Sequence, residues 1–490
     1  MTEWRFDGLY IDGEWQGESD RAPVINPATE EEIATAPVGG AKSADAALAA
    51  ARLAFDEGPW PRFSPKERQA LMGKFYDEMK ARAADIVRLI VAECGAPLAL
   101  AQGLHFGISM SHFAFAVDAA GREMTTPLPI AITPSRTGEK VLGAAVTVRE
   151  PFGVVSAITP FNFPFFLNLA KIGPALAMGN TMVLKPSPLT PLQALIVAEA
   201  AHAAGLPPGV FNVVTGGVDV GEMLTTDPRV DLVTFTGSDL VGAAVMGQAA
   251  PGLKRVLLEL GGKSAMIVRQ DADLDAAVPA GLANFTIQAG QGCALCTRHI
   301  VHNSVKADYV QRLTAMAGHM KVGDPADSSV TMGPLIGAAQ RARVEKLIES
   351  GVNDGAKIAV GGKRPEGLER GYFFEPTLLT EVDNSWAIAQ EEIFGPVAAV
   401  IGYDTDDEAV QIANDSRFGL SGAIFSRDAG VAYELALRIK TGQVHINGGM
   451  GTMGQHVPFG GMKRSGIGRE FGEEGMKEYT QIKAITFHAG

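Results

Sequence analysis

From Gly153 to Leu260 short apolar runs alternate with longer amphipathic stretches. GVVSAIT, NTMVLKP, VFNVVTG, VDLVTFTG and RVLLEL are rich in Val, Leu, Ile and Thr and read as strands. Between them Ile172 to Met178, Pro191 to Ala204, Val220 to Leu224 and Ser238 to Gln248 read as helices. Such alternation predicts a parallel sheet with helices on both faces. Ligands of an open sheet of this kind sit at the carboxyl ends of its strands. A second alternation begins at Ser264. SAMIV, RHIVH, KIAVGG, PVAAVIGY, SGAIFS and GQVHING are its strands, and Asp275 to Gln288, Lys306 to Met320, Ala338 to Ser350 and Asp407 to Asn414 its helices. The turn GGKS between the two patterns marks the boundary of two α/β units.

The flanking segments differ. LYIDGEW reads as a hairpin, and VINPATEE as a turn leading into another extended piece. Ser43 to Phe55 reads as a helix with Ser43 as its N-cap. Pro65 to Gly95 reads as helical, with Cys94 buried near its end, and Gly107 to Gly121 as a further helix. Met124 to Gly138 is turn-rich, and Val141 to Glu150 alternates like a strand. Pro151 to Ala170 carries no charge and is long enough to cross a bilayer. Pro151, Pro160, Pro164, Asn162 and Asn168 interrupt it, which makes a strand, turn and helix the better reading.

Composition narrows the class. A chain of 490 residues exceeds one ordinary core, so two or three domains are expected. With 46% hydrophobic and 20% charged residues it is globular rather than disordered. A net charge of −13 argues against nucleic acid or an anionic membrane as partner. Three cysteines, Cys94, Cys293 and Cys296, are too few for a disulfide scaffold and suit a reducing, cytoplasmic compartment. The segment MTEWRFDGLYIDGEW has no basic patch followed by an apolar run, so no secretory leader is expected.

Two residues carry candidate chemistry. Cys293 lies in a turn rich in Gly and Gln, and Glu259 ends the apolar run RVLLEL. A thiol nucleophile and a carboxylate base are the minimum equipment for covalent catalysis followed by hydrolysis. On residue types alone, an inert buried thiol is the competing reading. The turn TGSDLVG follows a strand and opens a helix, whose N-terminus could hold a phosphate; a tight turn is the alternative. Cys293 and Cys296 also form C-x-x-C, which with His299 offers three metal ligands. The flanks lack a thioredoxin-like context and no second ligand cluster is present, so no metal is expected and Cys296 reads as a small packed residue.

LELGGKS (Leu258 to Ser264) and the G-Q-x-C turn stand in order with PFNFP (Pro160 to Pro164), GNTMVLKPSPLTP (Gly179 to Pro191), FTGSDLVG (Phe235 to Gly242), EEIFGPV (Glu391 to Val397) and PFGGMKRSGIGRE (Pro458 to Glu470). Together these resemble the hydrolytic, non-acylating aldehyde dehydrogenases over nearly the whole chain. The resemblance implies a Rossmann-like parallel-sheet NAD(P)-binding domain (1–127 and 150–260), an α/β catalytic domain (261–477) and a small β oligomerisation element (128–149 and 478–490). It implies that Cys293 attacks an aldehyde, that Asn162 and the Cys293 N–H hold the oxyanion, and that Glu259 activates the water hydrolysing the thioester. Lys171 and Glu470 match positions associated with proton passage.

The resemblance places the cofactor, NAD or NADP with NAD modestly favoured, along Thr159, Pro160 and Phe161 and at Lys185, Ser187 and Pro188. Gly217, Gly221, Phe235, Gly237, Ser238 and Gly261 would cradle it, with Glu392 on the nicotinamide ribose and Phe394 at the ring. Phe113, Phe163, Ala170, Gly292, Ala294, Met453, Val457 and Phe459 would surround the substrate. No Lys or Arg is among them, which implies apolar aromatic or medium- to long-chain aliphatic aldehydes. Rival readings are a CoA-acylating relative, against which Glu259 speaks, and a catalytically silent protein of the same fold. Val141 to Glu150 is expected to pair with Glu478 to His488, and exposed strand edges there imply a homodimer or homotetramer.

Overall fold

The computed structural model describes residues 4–134, 137–448 and 454–489; Met453, one of the expected substrate contacts, lies outside them. The strand-like runs of the first half assemble into one eight-stranded sheet. Its centre is parallel, in the spatial order Phe211–Val213, Thr181–Lys185, Val154–Ile158, Leu232–Thr236, Arg255–Glu259. These strands are buried on both faces, as their continuous apolar runs require. The hairpin Gly8–Ile11 and Glu14–Gly17, joined through Asp12 and Gly13 at positive φ, covers one edge. The short strand Gly466–Ile467 closes the other, antiparallel to Leu258 and Glu259.

The order of strands reverses between Val154–Ile158 and Leu232–Thr236. The loops leaving the carboxyl ends of these neighbours therefore diverge and open a crevice. Thr159 to Phe163 leave one strand there, and Gly237 and Ser238 the other. The second sheet has seven strands, in the order Lys357–Val360, Thr377–Thr380, Val397–Tyr403, Arg298–His302, Ala265–Val268, Gly422–Phe425, His445–Ile446. All its pairs are parallel except the first. Thr377–Thr380 and the helix Ala429–Arg438 are additions to the sequence reading.

Several helix expectations need correction. The first helix starts at Ala41 with Gly40 as N-cap. Ser43 lies inside it and its hydroxyl bonds Glu18 instead, because Ala41 and Lys42 already extend the helix. The expected helix from Pro65 to Gly95 is two helices, Pro65–Ala81 and Ala83–Cys94, broken at Arg82. The first carries a capping box between Ser64 and Glu67. Cys94 is buried, as expected. The helix expected from Gly107 begins earlier, as a π-helical stretch Ala101–Ile108 that runs into the α-helix Ser109–Ala120.

Pro151 to Ala170 forms a strand, a turn and the start of the helix Pro164–Ala177. Among the described residues no helix is long and apolar enough to cross a membrane. Thr480–Ala489 pairs antiparallel with Lys140–Pro151 within the same chain, and Thr125–Pro127 and Ala131–Pro134 add to the far side of the latter. The two segments therefore cover one another, and the side of Thr480–Ala489 facing away from Lys140–Pro151 is the edge left open.

Candidate active site

The turn bearing Cys293 is held in an unfavourable backbone conformation by side-chain amides. After the helix Leu274–Thr286, Gln288, Ala289 and Gly290 have φ of 51°, 52° and 73°. Left-handed conformations at residues other than glycine cost about 1–3 kcal/mol each and persist only where surroundings enforce them. Gln288 receives such enforcement: its Nε2 donates to the Cys94 carbonyl at 2.9 Å and its Oε1 lies 3.2 Å from His105 Nε2. Gln291 Nε2 donates to the Gln288 carbonyl at 3.0 Å, and its Oε1 accepts from the Ile336 N–H at 2.9 Å. The two glutamines of the turn are thus its scaffold. The GGKS turn presses against it from the other sheet: a Cβ on Gly262 would sit 2.3 Å from the Cys293 carbonyl oxygen. Only glycine admits that approach.

Glu259 ends the last parallel strand of the first sheet and is buried, with neither carboxylate oxygen hydrogen-bonded. Burial, then the Glu470 charge, holds its carboxyl well above the usual range, while Lys171 and Arg469 oppose the shift. Glu470 and Lys171 form a fully buried ion pair at 2.7 Å. Lys171 Nζ also donates to Thr234 Oγ1 at 2.9 Å, a partner the sequence reading missed because a Thr in a strand looks like an ordinary β-branched residue. Burial raises the Cys293 thiol as well, with Glu392, Glu259 and Glu470 adding to it. Asn162 is buried; its Nδ2 donates to the Gln291 carbonyl at 2.8 Å and its Oδ1 has no partner.

Two cavities meet at this point. Cys293, Glu259, Asn162 and Thr236 line both. One opens onto the crevice of the first sheet and is lined by Pro160, Phe161, Gly237, Ser238, Gly261, Glu392 and Phe394 among others. Its features suit a dinucleotide. Ser238 caps the helix Asp239–Ala249, so that helix presents its N-terminus. The rings of Phe161 and Phe394 meet edge to face at 5.8 Å. A Cβ on Gly261 would meet Glu392 Oε2 at 2.4 Å. Glu392 accepts from the Gly262 N–H at 3.0 Å, and burial pushes its carboxyl up to about 7.

Thr159, Lys185, Ser187, Pro188, Gly217, Gly221 and Phe235 lie apart from this lining. Thr159 donates its hydroxyl to Asn168, and Phe235 packs in the core behind Gly237. Lys185 runs beside Gly221 on the helix Val218–Thr226, for which Gly217 is the N-cap. Burial lowers the Lys185 ammonium, and the nearby Asp219 carboxylate partly restores it. Ser187 accepts from the Leu189 N–H, and Pro188 is exposed.

The other cavity runs past the thiol into the second sheet. Phe163, Gly292, Ala294 and Phe459 line it, as do Leu104, Phe166, Ile287, Leu295 and Phe471, which sequence reasoning did not single out. Three expected contacts, Phe113, Ala170 and Val457, are not there. Phe113 packs into the core, its ring 5.3 Å from that of Phe75, and Ala170 is buried elsewhere in its helix. Leu104, from the π-helical stretch that precedes the helix of Phe113, lines the cavity instead. Val457 lies on a neighbouring turn outside the lining. Among the described residues no cluster of three His, Cys, Asp or Glu could hold a metal. His299 is buried, with Nδ1 3.0 Å from the Tyr309 hydroxyl.

A model described as the aldehyde dehydrogenase family matches residues 15–485. A 3-succinoylsemialdehyde-pyridine dehydrogenase from a Pseudomonas species is 42% identical over 489 residues, covering 98% of each chain. The crystal structure of a Mycobacterium tuberculosis aldehyde dehydrogenase complexed with NAD+ is 42% identical, with a TM-score of 0.93 over 98% of each chain. A mutant aldehyde dehydrogenase C from Pseudomonas syringae, in complex with NAD+ and octanal, is 40% identical, with a TM-score of 0.92 over 98% of this chain and 96% of that one.

Proposed function

This chain belongs to the aldehyde dehydrogenase family, and on that premise we propose that it oxidises an apolar aldehyde to the carboxylic acid through a thioester on Cys293. It is an NAD(P)-dependent enzyme. The observation that carries the mechanism is the meeting of two cavities at Cys293, with Asn162 and Glu259 shared between them. The thiolate attacks the carbonyl carbon, and the oxyanion that forms takes hydrogen bonds from the Cys293 N–H and the Asn162 amide. A nicotinamide held in the cavity lined by Phe161, Glu392 and Phe394 would supply the hydride acceptor for that carbon. Glu259 then takes a proton from the water that attacks the thioester, the C–S bond breaks, and the acid leaves. Glu470 and Lys171 behind Glu259 carry that proton onward. Incubation with NAD+ and a panel of aldehydes, with and without CoA, tests the reading: acid as product without CoA supports it, and an obligatory CoA thioester product refutes it.

The two parallel sheets support assigning 1–127 and 150–260 to cofactor binding and 261–477 to catalysis. The small sheet of 128–149 and 478–490 exposes Ile130, Ile132, Leu142, Ile482, Ile485 and Phe487. Along Thr480–Ala489, Ile482 points to the face opposite Ile485 and Phe487, so both faces carry apolar surface that a partner would cover. A homodimer or a tetramer of such dimers is expected by light scattering at micromolar concentration, and a monomer refutes it. The free state of Cys94, Cys293 and Cys296 agrees with a cytoplasmic protein.

No Lys or Arg lines the substrate cavity among the described residues. Hexanal and benzaldehyde should therefore exceed succinate semialdehyde in kcat/KM by at least about tenfold, or ~1.4 kcal/mol; the reverse order refutes the assignment. The octanal complex of the Pseudomonas syringae relative supports it. For the cofactor, Lys185 is a point charge able to meet a ribose hydroxyl or an added phosphate, and Pro188 offers no carboxylate to repel the phosphate. Asp219 supplies one negative charge beside Lys185. NAD+ and NADP+ should differ in kcat/KM by no more than about a hundredfold, with NAD+ ahead. Pro188→Glu should lower NADP+ use far more than NAD+ use. Undetectable NADP+ activity in the unmodified enzyme overturns this.

A further inference from the structure

We propose that the end of the substrate cavity lined by Gln443 and His445 is a polar subsite, centred on the Gln443 side chain, that reads an uncharged hydrogen-bonding group at the far end of the aldehyde. The cavity does not stop at the thiol. It continues behind the turn 293–296, between the helix Leu274–Thr286 and the edge of the second sheet. Ala280, Ala283 and Asn284 of that helix line it from one side, and Ala423 and Phe425 from the other. His445 pairs with Ala423 across the sheet edge, and Gln443, two residues earlier, faces the same way.

The polar groups at this end differ in their satisfaction. Asn284 is spoken for: its Nδ2 donates to the Ala280 carbonyl at 3.0 Å and its Oδ1 accepts from the Cys296 N–H at 3.0 Å. Gln443 lines the cavity with both its amide oxygen and its amide nitrogen buried and without a partner. Buried amides are almost always hydrogen-bonded, so an unsatisfied one facing a cavity marks where a ligand group belongs. One amide supplies an acceptor oxygen and a donor nitrogen with two N–H. Its complement is a group that both donates and accepts, a hydroxyl; a ketone or a ring nitrogen would pair only its N–H. A carboxylate is disfavoured, since no Lys or Arg lines the cavity among the described residues.

This subsite deepens the proposed oxidation of apolar aldehydes and rests on it. The substrate class becomes an aldehyde with an apolar body and a neutral polar terminus. A pocket built to hydrogen-bond a substrate group discriminates strongly against analogues lacking it, because its own polar atoms are then left unpaired.

The test compares kcat/KM for n-alkanals and the matching ω-hydroxyalkanals of four to eight carbons, in the wild type and in Gln443→Met. At one chain length the wild type should favour the hydroxyalkanal by about tenfold or more. Gln443→Met should shrink that ratio about tenfold, with a gain for the alkanal contributing to the change. Absence of a hydroxyl preference at every length in the wild type overturns the proposal without any variant. So does a Gln443→Met enzyme that loses both series by the same factor, which marks a structural role or a contact at a subunit interface. Failure to oxidise any aldehyde of either series would instead strike at the aldehyde reading itself.

Discussion

Cys293→Ala is expected to abolish aldehyde oxidation, with kcat falling on the order of 10^4-fold or more. Cys296→Ser should keep most of the activity. The contrast follows from placement. Cys293 lies where the two cavities join, with Asn162 and Glu259 on the same stretch of wall. Cys296 is buried three residues on, its N–H bonded to Asn284, and lines only the substrate side. Steady-state NADH formation with hexanal reads both variants. If Cys296→Ser were inactive and Cys293→Ala turned over, the nucleophile would be misassigned.

Glu259→Gln is expected to separate the two halves of the reaction. The amide cannot take a proton from water, so acylation survives and hydrolysis slows by about 10^2- to 10^4-fold. A rapid burst of NADH close to one per site, followed by slow turnover, is the expected trace in stopped flow. The pH profile adds a second readout. Burial and Glu470 hold the Glu259 carboxyl well above the usual carboxylate range. The base form therefore accumulates only as pH rises past that raised value, and deacylation should increase with pH through it. Glu259→Gln should flatten this limb. A missing burst would assign Glu259 to activation of Cys293, and unchanged turnover would remove it from the mechanism.

The parallel strands of both sheets, Thr377–Thr380 apart, were legible in the sequence because each is a continuous apolar run ending at Gly, Pro or a polar turn. LELGGKS and G-Q-x-C were legible as a pair, and Gly262 against the Cys293 carbonyl explains why they must travel together. What stayed hidden depends on contacts between elements. Thr234 reaches Lys171 from a neighbouring strand, and nothing in its local pattern sets it apart. Gln443 precedes a two-residue strand, His445–Ile446, and is indistinguishable in sequence from a solvated glutamine. Phe113 was assigned by resemblance alone, and nothing in its local pattern shows that its ring packs against Phe75 while Leu104 of the π-helical stretch lines the cavity. The break at Arg82 was hidden by an amphipathic pattern that runs on through it.

The short strand Gly466–Ile467 has a consequence for how the protein is made. It zips onto Leu258 and Glu259, and the residues around it, Phe459, Glu470 and Phe471, wall the substrate cavity. The final strand then locks to Lys140–Pro151, at a separation of more than three hundred residues. On the ribosome, the thiol emerges long before the segment that buries its base. A nascent chain is therefore chemically incomplete until Gly466 to Glu470 have left the exit tunnel, and contacts so distant along the chain close slowly. Termination upstream of Gly466 leaves Glu259 at an open sheet edge, without its acidic neighbour Glu470 and without a closed cavity. Such fragments retain an exposed, unpaired strand as a template for aggregation, and their disposal falls to cellular quality control.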